Sequence, residues 1–276
     1  MLNKLFLLFS LLSSVIAQNA TQQQLAHQNR TLSFGVVIFP GYEPLDVYGP
    51  LEIMIQLSQT YPITLSIISH KVGPVTSRAP PHRMDPSGPL MEFDSMIGSS
   101  TVATHTFENA PELDAILVPG GIGVFALVTT NDTSVEDFVV ERFDRAEYIL
   151  TVCNGATLVA RSGLMNGLPA TATKSVWNIV TAEGESYKGK GIKWMPSARW
   201  VETEKVWSSS GVSAGMDMMA AWTKHFYGGS EVGKMLNGIE YAAHTDPHWD
   251  PFSVVHKVPG ADTNRSLEDC AGPAAQ

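Results

Sequence analysis

The sequence predicts an α/β protein, a three-layer sandwich built on a mainly parallel sheet. Short, nearly continuous apolar runs recur along the chain, as in parallel strands covered on both faces. Segments of helical spacing lie between them. Several runs also end in Gly-containing joints, which would fall at the carboxyl edge of the sheet, where open α/β sheets bind ligands.

At the amino end, Lys4 precedes a mainly apolar run from Leu5 to Ile16, followed by Ala17 and a polar stretch. This reads as a secretory signal peptide cleaved after Ala17. The run is about a dozen residues, short of the roughly 20 that cross a bilayer, so a secreted chain with no membrane span is expected. Sequons at Asn19, Asn29, Asn131 and Asn264 fit a glycosylating pathway. The Gln- and Asn-rich stretch up to Arg30 has no apolar period. Residues 18–31 therefore read as a disordered lead, with the folded domain expected over 32–252.

Leu32 to Phe39 reads as the first buried strand, ended by Pro40-Gly41. Tyr42 to Glu52 reads as a loop entering a helix, with Pro50 suited to the first turn. Asp46 and Glu52 then lie near the carboxyl edge. Ile63 to Ser69 is a second strand, residues 84–89 are a turn-rich insertion, and Val102 to Phe107 is a short strand. Leu113 to Val118 is another parallel-type strand. It runs into Pro119-Gly120-Gly121, where bare amides would face the same edge or simply form a tight turn. Val135 to Arg145 has helical spacing.

Tyr148 to Val152 is strand-like and Ala156 to Arg161 helix-like, with Cys153 on the joint. A joint residue there points out at the sheet edge, facing the unpaired amides of the helix N-terminus. Those amides favour negative charge, so the thiol is expected to lose its proton easily and to act as a nucleophile. A buried, inert small hydrophobe is the alternative reading. Gly155 lets another segment approach closely.

Pro169 to Thr173 is extended and Ser175 to Val180 starts a helix. Residues 193–194, 199–202 and 205–208 suggest small, partly antiparallel strands. Ser209 to Gly215 is a loop of small residues. The helix Met216 to Tyr227 has a Met-rich, apolar composition that fits core packing, with Asp217 satisfying N-terminal amides. Ser230 to Ala243 is the last helix. The chain from His244 wraps the surface, and 253–276 form a surface or disordered tail. His244 and His248 have ligand-like spacing, but Pro247 and Pro251 break the helix it needs, so no metal or organic cofactor is expected. Trp177, Trp194, Trp200 and Trp249 either line an apolar pocket or pack in the core. The order of elements is that of a flavodoxin-like single domain. A net charge of −9 without a Lys/Arg cluster argues against nucleic acid and anionic membranes, leaving a small neutral or weakly polar substrate. With only two cysteines, Cys153 and Cys270, the chain is no disulfide scaffold, and Cys270 reads as a lone thiol in the tail.

Several segments, in this order, resemble the ThiJ/PfpI superfamily and, within it, the isonitrile hydratase-like branch. They are Phe39 to Gly41, Leu45 to Glu52, Val118 to Gly121, Thr151 to Ala156, Ser209 to Asp217, Glu240-Tyr241 and Asp246 to Phe252. The resemblance spans roughly Leu32 to Phe252. It implies Cys153 as nucleophile, Asp46 as the acid beside its sulfur, and the amides of Gly120, Gly121 and Asn154 as donors to developing charge. Glu52 and Thr173 complete the residues expected around the substrate, and a homodimer is implied. The chemistry implied is hydration of an isonitrile through a thioimidate to an N-substituted formamide. Two positions depart from the pattern. Asn154 stands where hydratases of this branch carry Thr and peptidase-like members His, and Thr173 stands where several relatives place His. A Cys–His dyad cannot be built from these positions, which speaks against protease, glyoxalase and deglycase activity. A lyase or cyclase acting on a secondary metabolite, and a non-catalytic protein using Cys153 as a redox sensor, are the alternatives.

Overall fold

The computed structural model describes residues 21–84, 87–181 and 189–267. The expected leader with its cleavage point, the Asn19 sequon and Cys270 lie outside the described residues. In chain order the elements begin with α1 (Gln22–Gln28), β1 (Leu32–Val37), α2 (Pro44–Ser58), β2 (Ile63–Ser69), β3 (Gly73–Thr76), β4 (Ser100–Ala103) and β5 (His105–Thr106). They continue with β6 (Ala115–Val118), α3 (Gly123–Thr129), α4 (Ser134–Phe143), β7 (Tyr148–Thr151), α5 (Ala156–Arg161), β8 (Pro169–Ala170) and α6 (Trp177–Val180). The remainder are β9 (Lys193–Trp194), β10 (Trp200–Val201), β11 (Val206–Ser209), α7 (Ala214–Tyr227), α8 (Gly229–Gly238) and α9 (Phe252–Val255).

The apolar runs become a seven-stranded sheet in the order β10-β11-β7-β6-β1-β2-β5. Every pairing in it is parallel except β10 against β11. Val36 of β1 pairs with Ile67 on one side and Leu117 on the other, and all three are buried. The strand order reverses at β1, which places β2 on one side and β6, β7 and β11 on the other. Such a reversal opens a crevice at the carboxyl ends of the central strands. Asp46, Gly120 and Cys153 all follow those ends.

Several expectations need correction. The lead is not structureless, because residues 22–28 form α1. Thr21 and Gln24 make a reciprocal capping box, with Gln24 N–H donating to Thr21 Oγ1 at 3.1 Å and Thr21 N–H to Gln24 Oε1 at 3.0 Å. His27 then packs edge-on against Phe226, with ring centroids 4.5 Å apart. The lead lacks a hydrophobic period, so capping and docking on α7 supply its order. The helix after β1 starts at Pro44, and Pro50 lies inside it. Asp46 is thus held in a first helical turn. The expected strand over 102–107 divides at Thr104, whose hydroxyl bonds both the amide and the carbonyl of Ile67. Its first part pairs with β3 as a hairpin and its second joins the sheet edge as β5.

The chain after His244 is not only a surface wrap. Asp250 and Ser253 are buried, and α9 crosses the boundary expected at residue 252. Asp217 caps no helix amide. Its carboxylate takes Arg199 Nε at 2.6 Å, the Tyr241 hydroxyl, and the His244 amide at 2.9 Å. Trp177, Trp200 and Trp249 are buried, and Trp177 meets Trp194 edge-on. Asn29, Asn131 and Asn264 are at or near the surface.

Candidate active site

β7 delivers the chain to Val152 in extended geometry, and Cys153 then turns sharply with φ of 61°. A non-glycine residue in this region carries strain on the order of 1–3 kcal/mol and persists only where neighbours enforce it. Here Val152 N–H donates to Val118 O at 3.1 Å, Cys153 N–H to Ser210 O at 3.0 Å, and Gly155 N–H to Val152 O at 2.9 Å. A Cβ on Gly155 would lie 2.5 Å from the carbonyl oxygens of Val118 and Pro119. Glycine is therefore what lets the elbow close against β6.

Asp46 meets this elbow from α2. It is fully buried, and its Oδ2 accepts the Gly120 amide at 2.9 Å. Oδ1 is buried with no hydrogen-bond partner among the described residues, and the Cys153 thiol lies close enough to act on the carboxyl's titration. Burial, with nearby Glu43 adding to it, raises the Asp46 carboxyl to about 8, against the pull of the Gly120 amide and the thiol. It is an acid at neutral pH.

The sulfur itself is nearly enclosed, with Cys153 at 9% exposure. The Thr173 hydroxyl and the backbone amides of Asn154 and Val212 lie near enough to favour the thiolate. Burial is the larger effect, and the Asp46 carboxylate adds to it, so the thiol is pushed well above its ordinary range. The sequence expectation of an easily ionised cysteine is corrected. Amides at the joint are present, but so is an apolar enclosure that the local pattern does not reveal.

The donor set is corrected too. The Gly120 amide is spent on Asp46. The Gly121 amide donates to Asn154 Oδ1 at 2.8 Å, and Asn154 Nδ2 returns a bond to Gly121 O at 3.0 Å. Asn154 thus clips the two joints together by its side chain while its own amide faces the sulfur. Glu52 is not brought to the site. It accepts Gln56 Nε2 at 2.7 Å on its own helix. Thr173 does lie near the sulfur. Sequence reasoning missed Val212, whose φ of 26° is again a forced backbone and whose amide lies near enough to favour charge on the sulfur. The run of small residues from Ser209 to Gly215 was the available signal.

A cleft of about 290 Å³ opens beside the sulfur's partners Thr173 and Val212. Leu45, Val212 and Phe252 supply apolar wall, and Thr173, Ser175 and Ser213 supply hydroxyls. This suits a small molecule with a compact apolar body. A larger cavity of about 640 Å³ lies between Val75 and Leu127 and shares none of these residues. Among the described residues, no group of three or more His, Cys, Asp or Glu is placed to hold a metal ion. Chemically, the arrangement offers a soft nucleophile and a protonated carboxyl close together, shielded from water.

The model for the DJ-1/PfpI family matches residues 35–225. Isonitrile hydratase from Pseudomonas putida is 26% identical over 212 residues, covering 76% of this chain and 79% of that protein. A crystal structure of a ThiJ/PfpI family protein from Pseudomonas syringae superposes with a TM-score of 0.59 at 22% identity, over 81% of this chain and 80% of the other. Drosophila melanogaster DJ-1beta gives a TM-score of 0.59 at 15% identity, over 77% of this chain and 100% of the other.

Proposed function

The chain belongs to the DJ-1/PfpI family, and on that premise we propose that it is a cysteine-dependent hydro-lyase. It hydrates an isonitrile, or a similar small electrophilic carbon, to an N-substituted formamide. One observation carries the reading: the elbow thiol of Cys153 and the carboxyl of Asp46, which burial keeps protonated at neutral pH, are both buried and close enough to shift each other's titration.

Both groups are neutral at pH 7, so the first step is an addition of S–H across the isonitrile carbon. Sulfur bonds the carbon, Asp46 hands its proton to that carbon, and it takes the proton that leaves the thiol. The product is a thioimidate, R–N=CH–S–Cys153. Water then adds to the same carbon, giving one proton through Asp46 to the nitrogen. The hydroxyl proton returns to sulfur as the C–S bond breaks, releasing R–NH–CHO and the free thiol. Asp46 ends each step neutral, as its burial favours. The Val212 and Asn154 amides and the Thr173 hydroxyl steady the charge that collects on sulfur. A redox sensor would favour an exposed, easily ionised thiol, and the enclosure of Cys153 favours the enzyme reading instead.

The test is consumption of a simple aryl isonitrile by the purified protein. Turnover should be lost in Cys153→Ala and fall by about 10²–10⁴-fold in Asp46→Asn, the usual range for a general acid–base group. A folded wild-type protein that leaves the isonitrile intact sinks the hydratase assignment.

A further inference from the structure

Behind the cleft lies a cluster of four buried charges, Lys174, Arg199, Asp217 and Asp250, none of which contacts the sulfur. Lys174 is the neighbour of Thr173, and Asp217 follows the loop that carries Val212. The cluster therefore abuts both segments that bring donors to Cys153.

Arg199 is the member with the most connections. Its Nε donates to Asp217 at 2.6 Å, Nη1 to Asp250 at 3.4 Å and Nη2 to Ser213 Oγ at 3.3 Å. Its carbonyl accepts the Ser210 amide at 2.8 Å, and the Ser210 carbonyl in turn accepts the amide of Cys153 at 3.0 Å. Arg199 thus grips both ends of the 210–213 loop, and one further hydrogen bond leads to the elbow. On the other segment, Lys174 Nζ donates to Thr171 Oγ1 at 2.6 Å and to the carbonyls of Ala172 and Ala198, the latter at 2.9 Å. Ala198 precedes Arg199, so the two donor-bearing segments share an anchor.

We propose that Arg199 is a positioning residue for the Cys153 nucleophile, holding the 210–213 loop at Ser210 and Ser213 so that the Ser210 carbonyl keeps its bond to the Cys153 amide and the elbow stays in place. A forced φ at Val212 is what such a grip would sustain, because a free loop relaxes out of that region. A misplacement of about 1 Å at a reacting group costs up to roughly 10²-fold in rate. The proposal rests on Cys153 being the nucleophile, and it is read by alkylation of the thiol. A silent isonitrile assay therefore leaves it standing or falling separately.

The experiment is the pH profile of iodoacetamide alkylation of the full chain, comparing wild type, Arg199→Gln, Arg199→Lys and Ser213→Ala. Asp46, from α2, is the charged group facing the sulfur, and Glu43 acts on Asp46. Lys174, lowered to about 7 by burial and further by Arg199, titrates close to the step being read, and Ser213→Ala, which leaves Lys174 undisturbed, separates its effect from that of the loop. Arg199→Gln is expected to slow alkylation about tenfold and move the midpoint up by about half a pH unit or more, with partial recovery in Arg199→Lys. Ser213→Ala leaves no charge unpaired, so it folds even where Arg199→Gln does not, and it should move the midpoint the same way. Folded variants that keep the wild-type midpoint, with rates within about twofold, overturn the proposal.

Discussion

In the proposed reaction the chemistry falls to two side chains, Cys153 and Asp46, each of which shifts the other's titration. With Asp46 raised to about 8 and the thiol higher still, both protons are held at neutral pH. The first proton leaves near pH 8, from Asp46, and the carboxylate so formed is the base that takes the thiol's proton as the sulfur attacks an alkylating agent. Alkylation of Cys153 should therefore rise through a step centred near pH 8. Asp46→Asn removes the group responsible for that step. What is left is a buried thiol, whose reactivity should climb only at higher pH, and rates measured from pH 6 to 10 separate the two profiles. A wild-type step near pH 6 would contradict the enclosure argument. At this scale the structure brings Cys153, Asp46 and Thr173 together, as the sequence expected. It overreached at Glu52, whose side chain faces Gln56. Six residues after Asp46, Glu52 lies on a different side of α2, a consequence of helical periodicity that a loop reading of that segment hid.

The elements matter here through their joints. The turn after β6 and the elbow after β7 are bound together by the two Asn154–Gly121 bonds and by the absence of a Cβ at Gly155. Replacing Gly155 with Ala puts a methyl against two carbonyl oxygens that cannot swing aside. We expect a loss of about 1–3 kcal/mol, the range for overpacking a tight site, and a lower unfolding temperature in a calorimetric scan. Alkylation should change as well, because the elbow would move with the joint. An unchanged melting temperature would show that the joint has slack the geometry does not suggest. Sequence reasoning recognised Gly155 as a place of close approach. It took the Gly120 and Gly121 amides as free donors or part of a tight turn because hydrogen-bond partners 74 and 33 residues away are not visible in a local pattern. The cap on α1 was legible in Thr21 and Gln24, yet the missing apolar period concealed it, since α1 owes its place to docking on α7.

For the whole molecule, burying Asp46 links stability to pH. A carboxyl raised in the folded state binds its proton more tightly there than in the unfolded chain. Its contribution is fully present below the ordinary value of 3.8 and is lost as pH rises through about 8. Asp46→Asn carries no such dependence. Its melting temperature relative to wild type should therefore climb between pH 5 and pH 8, and a gap that stays constant across that range would contradict a raised carboxyl. The charge cluster around Arg199 works at the same scale, joining the chain beyond His244 to the strands behind the cleft. That ending read as a surface wrap because its prolines interrupt any period, while the partners that bury Asp250 lie in distant segments.

Apolar runs and their Gly-rich joints were sufficient to read the parallel sheet, the carboxyl-edge location of the site and the elbow cysteine, because strand burial and tight turns leave a period and a composition in neighbouring residues. Tertiary structure alone decided that Cys153 is enclosed and its thiol raised, that two of the expected amide donors are already bonded, and that the Val212 amide lies near the sulfur. Those outcomes depend on how deeply a group is buried and on which distant polar atom has claimed each hydrogen bond. Both are properties of the packed chain, and neither leaves a local trace in the order of residues.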